Sequence, residues 1–158
     1  MKRKALFLLF YCYTLFANAA NMYVTISGDD THDGTSWESS KSSIQAAIDA
    51  SSVGDTVFIA EGIYNQSIKV KDGVHVFGGY DAFTGNRDYE VYSTIIDGTG
   101  LGKAIVNQGS SFKNPSYFDG LVLQNANHSS NGGAVILKAN GILNNCTIND
   151  CTTTGSGG

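Results

Sequence analysis

The chain has 158 residues, a formal net charge of −4, 15% charged residues, 19 Gly and a single Pro. The length fits one domain. So low a charge content excludes an acidic disordered chain and a charged coiled coil, and Gly without a three-residue period excludes collagen. No basic run occurs along the chain beyond its first residues, so a nucleic-acid partner is not expected.

The N-terminus comes first in chain order. Met1-Lys2-Arg3-Lys4 is basic, Ala5 to Ala17 is apolar, and Ala17-Asn18-Ala19 fits the small-x-small cleavage rule. Residues 1–20 therefore read as a secretory signal peptide cut after Ala19 or Ala20. The apolar run is shorter than the ~20 residues a membrane span needs. Cleavage removes Lys2, Arg3 and Lys4 and leaves a net charge of −7. It also removes Cys12 and leaves Cys146 and Cys151, which read as two small buried hydrophobes.

Residues 21–55 form an entry segment. Tyr23-Val24-Thr25-Ile26 is β-branched and aromatic, a short strand signal. A polar loop from Ser27 to Ser36 follows. Ser42 and Gln45 make a capping-box pattern, and Ile44, Ala47 and Ile48 share one helical face. A helix over roughly Ser42 to Ser52 is expected, stopped by Gly54.

From residue 56 to 158 the text changes to short strands and turns. Strands are expected at Thr56–Ala60, Ser67–Val70, Val74–Phe77, Thr94–Ile96, Ala104–Val106, Phe118–Leu123, Ala134–Leu137 and Ile142–Ile148. A repeat orders them. Phe118 to Gly133 aligns without a gap on Leu143 to Gly158, at an offset of 25 residues. Leu121 falls over Cys146, Val122 over Thr147, Leu123 over Ile148 and Asn125 over Asp150. A repeat of that length reads as one turn of a solenoid, in which each coil stacks its side chains on the coil before it.

The motifs resemble a known group. Asp33-Gly34-Thr35-Ser36-Trp37, Ile44-Gln45-Ala46-Ala47-Ile48 and Gly54-Asp55-Thr56-Val57-Phe58-Ile59 look like the entry segment of right-handed parallel β-helix proteins of the pectate-lyase-like group. Gly132-Gly133-Ala134-Val135 with Asn144-Asn145-Cys146-Thr147-Ile148 resembles the repeat of chlamydial polymorphic outer-membrane proteins, with Leu143 in place of the aromatic residue. The resemblance implies an all-β, right-handed parallel β-helix solenoid with a short N-terminal capping helix. The repeat stops at Gly157-Gly158, where a next strand is expected, so the coil reads as cut at its C-terminal end. Self-association through that uncapped end is one expected partnership.

No residue is assigned a catalytic, cofactor-binding or metal-ligating role. Asp29, Asp30 and Asp33 share one loop whose oxygens are the kind Ca²⁺ takes. Yet Ser40 stands where an EF-hand loop would carry Glu, so solvated Asx turns are the expected role. Lyases of the group use an Arg or Lys base beside Ca²⁺-holding carboxylates. Here Arg87 lies next to Asp88, which suggests a local ion pair, and Lys41, Lys69, Lys71, Lys103, Lys113 and Lys138 are scattered. Asp97, Asp119 and Asp150 read as turn residues. His32, His75 and His128 match no zinc spacing, and His75, between Val74 and Val76, is expected to face solvent. Tyr80, Phe83, Tyr89 and Tyr92 cluster in one loop that either packs on the strands or stacks on sugar rings.

The function expected is an exported surface or extracellular domain with a structural, adhesin-like or glycan-contacting role. The alternative is the N-terminal part of a polysaccharide lyase or glycoside hydrolase.

Overall fold

The computed structural model describes residues 19–130 and 132–155. The expected leader, with Cys12, lies outside the described residues up to residue 18, as do the glycines at 157 and 158.

The chain is built from short strands and one short helix. In order these are β1 (Asn21–Val24), α1 (Ile44–Ala50), β2 (Thr56–Ala60), β3 (Gly62–Tyr64), β4 (Ile68–Lys69), β5 (His75–Tyr80), β6 (Thr94–Asp97) and β7 (Val106–Asn107). There follow β8 (Ser116–Asp119), β9 (Leu121–Gln124), β10 (Asn127–His128), β11 (Val135–Ile136), β12 (Gly141–Asn144), β13 (Thr147–Asn149) and β14 (Thr152–Thr153).

Four sheets result, with strand orders β1-β2-β5-β8-β12, β13-β9-β6-β3, β11-β7-β4 and β10-β14. All their pairings are parallel. From β2 to β9 the chain visits the first three sheets in strict rotation. The register carries the repeat: Phe118 pairs with Leu143, Val122 with Thr147 and Asn127 with Thr152, each 25 residues on.

Two strands expected to be continuous are each broken in two. Phe118–Leu123 is split at Gly120, whose φ is 68°, and Ile142–Ile148 is split around Asn145, whose φ is 46°. A left-handed residue ends a strand because it turns the backbone out of the pleat. The two residues follow the paired Asp119 and Asn144, so the bend recurs at the same point of the repeat. Strands β3, β10 and β14 were not anticipated, since Gly62 and the polar pairs read as turn text.

The helix is shorter than expected. Its N-cap is Ser43, not Ser42, and the Ser43 hydroxyl accepts from the Ala46 N–H at 3.2 Å. Gln45 does not close a capping box; its amide donates to Asp49 at 2.8 Å and to the Lys69 carbonyl at 3.3 Å. The helix ends at Ser51, before Gly54, because Ser51 turns extended and its hydroxyl donates to the Ala47 carbonyl at 2.7 Å. The expected apolar face is the buried one: Ile44, Ala47 and Ile48 are fully covered, and α1 packs on β1, β2 and β4.

One core runs between the sheets. It joins Val24, Val57, Ile59 and Phe118 from the first sheet, Ile96, Leu121 and Leu123 from the second, and Ile68 and Val106 from the third. Each aliphatic side chain buried there contributes about 1.5–3 kcal/mol. Cys146 and Cys151 pack against this core as free thiols, half-buried, with each Sγ donating at 3.1 Å to the carbonyl two residues earlier. Burial pushes the Cys146 thiol up.

Candidate functional site: an aromatic outer face

Strand alternation divides the first sheet into two faces. Met22, Val24, Val57, Ile59, Val76 and Phe118 point into the core. The residues between them, Tyr23, Phe58, His75, Phe77 and Tyr117, are half-buried on the other face. Register then sets Tyr23 beside Phe58 and Phe58 beside Phe77. Ring centroids are 5.6 Å apart for Tyr23 and Phe58 and 6.3 Å for Phe58 and Phe77. His75 lies 5.3 Å from Tyr117 and 6.2 Å from Phe77.

Two further aromatics widen the row. Tyr80, at the end of β5, sits 4.9 Å from Phe58. Trp37 comes from the loop before α1, 4.8 Å from Tyr23 and 5.7 Å from Tyr80. Most of these rings meet edge-on or tilted, the arrangement that the quadrupoles favour. They stay half-covered, so ring edges and parts of faces remain open to solvent.

Arg87 closes one side of the row. Its guanidinium lies 5.3 Å from the Phe77 ring centre, 5.6 Å from Tyr80 and 5.7 Å from Tyr89. Its Nε donates to the Gly78 carbonyl at 2.9 Å, and its Nη2 bonds the Asp119 carboxylate. The expected pairing with Asp88 is corrected here. Tyr80 and Arg87 form an antiparallel bridge, and the Asp88 N–H donates to the Gly79 carbonyl at 2.8 Å, so the loop folds back along its own strand. Arg87 thereby faces β8, whereas Asp88 accepts from the Glu90 N–H at 3.1 Å. Gly79 allows this close return: its φ is 86°, and a Cβ there would lie 2.6 Å from Tyr89 Cα.

The environment shifts two titrating groups on this face. Burial lowers the His75 pKa. The ring's Nδ1 also accepts from the Tyr117 N–H at 3.3 Å, which requires that nitrogen to be unprotonated. Burial raises the Tyr80 hydroxyl, with Arg87 working against it. The expectation that His75 is a solvent residue is therefore corrected: it is part of the aromatic row.

The other sequence candidates are engaged in local structure. Asp29 accepts from the Thr31 N–H and hydroxyl, both at 2.8 Å, and Asp33 does the same for Thr35 at 3.0 Å. These bonds hold both carboxyls below the usual range. Asp30 reaches the Ser42 and Ser43 N–H groups just before α1, at 3.0 and 2.8 Å. Lys41, mostly buried, donates to the Asp30 and His32 carbonyls at 3.2 and 2.7 Å, so the loop already holds an internal cation. Among the described residues no group of three His, Cys, Asp or Glu side chains is placed to hold a metal ion.

Asp97 collects four bonds, from the Thr99 N–H, Gln124, Asn125 and the Thr99 hydroxyl region, which hold its carboxyl far below the usual range. Of the loop aromatics, Tyr80 packs, Tyr89 lies against Arg87, and Phe83 is 97% exposed. Asp119 is the one acid of the three considered that joins the aromatic face. The row itself was missed, although each strand announces it: Met22-Tyr23-Val24, Val57-Phe58-Ile59 and Val76-Phe77-Gly78 each set one ring between two buried positions.

Such a face offers apolar ring surface beside a cation, with no nucleophile and base in contact. Its chemistry is binding, by ring contact to flat, partly apolar groups such as the C–H faces of sugars. Comparison with family models, with curated proteins and with solved structures returned no match.

Proposed function

We propose that the chain is an exported domain that contacts glycans through the outer face of its first sheet. The observation that carries this reading is the half-exposed row Tyr23–Phe58–Phe77 with Trp37 and Tyr80 at its edge. Rings held by strands keep a fixed spacing, so little ordering cost falls on binding.

The architecture proposed beneath it is a right-handed parallel β-helix. The rotation of the chain among three parallel sheets and the 25-residue register support a coil. Crossovers between parallel strands are right-handed almost without exception. In this reading α1 covers the first coil. Export rests on the basic start, the apolar run and the small-x-small site of residues 1–20. The role is adhesin-like or structural, with the glycan as partner.

The test is a glycan array probed with the secreted protein and with a Phe58→Ala, Trp37→Ala variant. Binding to a defined set of saccharides, lost in the variant while its melting temperature holds, is expected. Absence of saccharide binding, or binding indifferent to both rings, contradicts the proposal. Incubation of polygalacturonate with Ca²⁺ should yield no unsaturated product by ultraviolet absorbance; product would favour a lyase.

A further inference from the structure

The third sheet carries a cleft of about 420 Å³ lined by Gln45, Ser67, Lys69, Lys103, Asn107 and Gly109. Strand alternation builds it. Ile68 and Val70 point into the core, so Lys69 points out. Its register partner on the next strand is Asn107, which is also exposed. Gly109 keeps the floor low: a Cβ there would stand 3.5 Å from Lys69 Cε. From the following strand, Lys138 reaches the same point and donates to the Gly109 carbonyl at 2.7 Å. Three lysines that look scattered in the sequence thus converge on one glycine.

Nothing in the fold neutralises the two cations that line the cleft. Among the described residues the one ion pair is Arg87–Asp119. The nearby Asp49 carboxylate accepts from the Gln45 amide at 2.8 Å. Gln45 is in turn fixed by the Lys69 N–H, which donates to it at 2.7 Å. Two free ammonium groups beside amide and hydroxyl donors form an anion site in a chain whose net charge is −4. At physiological salt the net charge is screened beyond about 8 Å, so the local lysines decide the binding.

We propose that this cleft binds the sulfate or phosphate ester group of a saccharide. The donor set selects the anion. Lys acts as a point charge with three rotatable donors and suits a tetrahedral oxyanion, whereas a planar carboxylate is best matched by the fork of Arg. No Arg lines the cleft. The site is on a different sheet from the aromatic row and does not rest on the reading of that row.

The experiment is isothermal titration of the protein secreted from cells expressing the full chain. The probes are a heparin hexasaccharide, a phosphomannan oligosaccharide and hexagalacturonate. At least one of the two ester saccharides binds, and hexagalacturonate binds about tenfold more weakly or worse. Heparin alone identifies a sulfate site and phosphomannan alone a phosphate site. Lys69→Gln with Lys103→Gln weakens the ester ligand about tenfold or more, as does raising the salt to about 0.5 M. Lys103→Gln alone gives an intermediate loss, and Lys113→Gln, outside the cleft, leaves affinity unchanged. No binding of either ester overturns the proposal. So does equal binding of hexagalacturonate, an unaltered affinity in the double variant, or an equal loss in Lys113→Gln.

Discussion

Arg87 passes over its sequence neighbour Asp88 and pairs with Asp119, 32 residues away on another strand. The pair ties the loop of residues 81–93 to the face of the first sheet. In doing so it lays a guanidinium across Phe77 and Tyr80. Side-chain exposure is 30% for Arg87 and 14% for Asp119, so the pair is partly shielded from solvent.

Replacing Arg87 by Met removes the ion pair, the bond to the Gly78 carbonyl and three cation–π contacts. A loss of about 1–2 kcal/mol in urea unfolding is expected. Arg87→Lys keeps the charge but lacks the planar fork, so it recovers less than half of that loss. Full recovery by Lys would show that charge alone matters.

His75 makes stability depend on pH. Its pKa is lowered in the folded state, so the unfolded chain binds the proton more readily. The stability it contributes is complete above the unfolded value, about 6.5, and is lost as pH falls from there toward the lower folded value. Protonation also removes the acceptor of the Tyr117 N–H. Melting temperatures of the protein should drop between about pH 7 and pH 5, and His75→Phe should flatten that slope. An identical slope in the variant would contradict the account.

Two glycines separate backbone conformation from crowding. Both have positive φ, 93° at Gly54 and 68° at Gly120. A Cβ at Gly54 meets nothing within 4 Å, whereas one at Gly120 lies 2.9 Å from Arg87 Nη2 and from Tyr89 Cβ. Gly54→Ala should therefore cost about 1 kcal/mol, the left-handed penalty alone. Gly120→Ala should cost about 2 kcal/mol, because the Arg87 contacts must also give way. Equal costs would mean that the loop does not rest on Gly120.

Export leaves a chemical record. N-terminal sequencing of protein from the culture medium should begin at Ala20 or Asn21, after a cut following Ala19 or Ala20. Protein retaining Met1 in a membrane pellet would contradict the leader.

Much of the strand pattern was legible because alternation and turn residues are local signals. The buried triad Ile44, Ala47 and Ile48 was read from spacing alone. The 25-residue register was readable because β8–β9 and β12–β13 repeat without insertion. Earlier pairings lack a constant period: Phe58 to Phe77 spans 19 residues and Ile63 to Ile95 spans 32. The loop of residues 81–93 breaks the rhythm there. For the same reason the aromatic row was hidden, since assembling Tyr23, Phe58 and Phe77 requires the register of strands far apart in sequence. The lysine cleft was hidden likewise, because Lys69, Lys103 and Lys138 meet only after three strands align. Arg87 was misassigned because adjacency was taken for contact, whereas the bridge to Tyr80 turns it toward Asp119.

The central claim is that saccharides engage the ring row, and Trp37 reports on it directly. It is the only Trp of the chain and sits at the edge of the row, against Tyr23 and Tyr80. Its emission should be followed during titration with chitohexaose, cellohexaose and hexagalacturonate, in the protein and in Phe58→Ala. A saturable shift of Trp37 emission with at least one of these sugars, abolished in Phe58→Ala, is the result the account predicts. Emission that stays constant while a saccharide is shown to bind would contradict it, because the ligand would then be held elsewhere on the molecule.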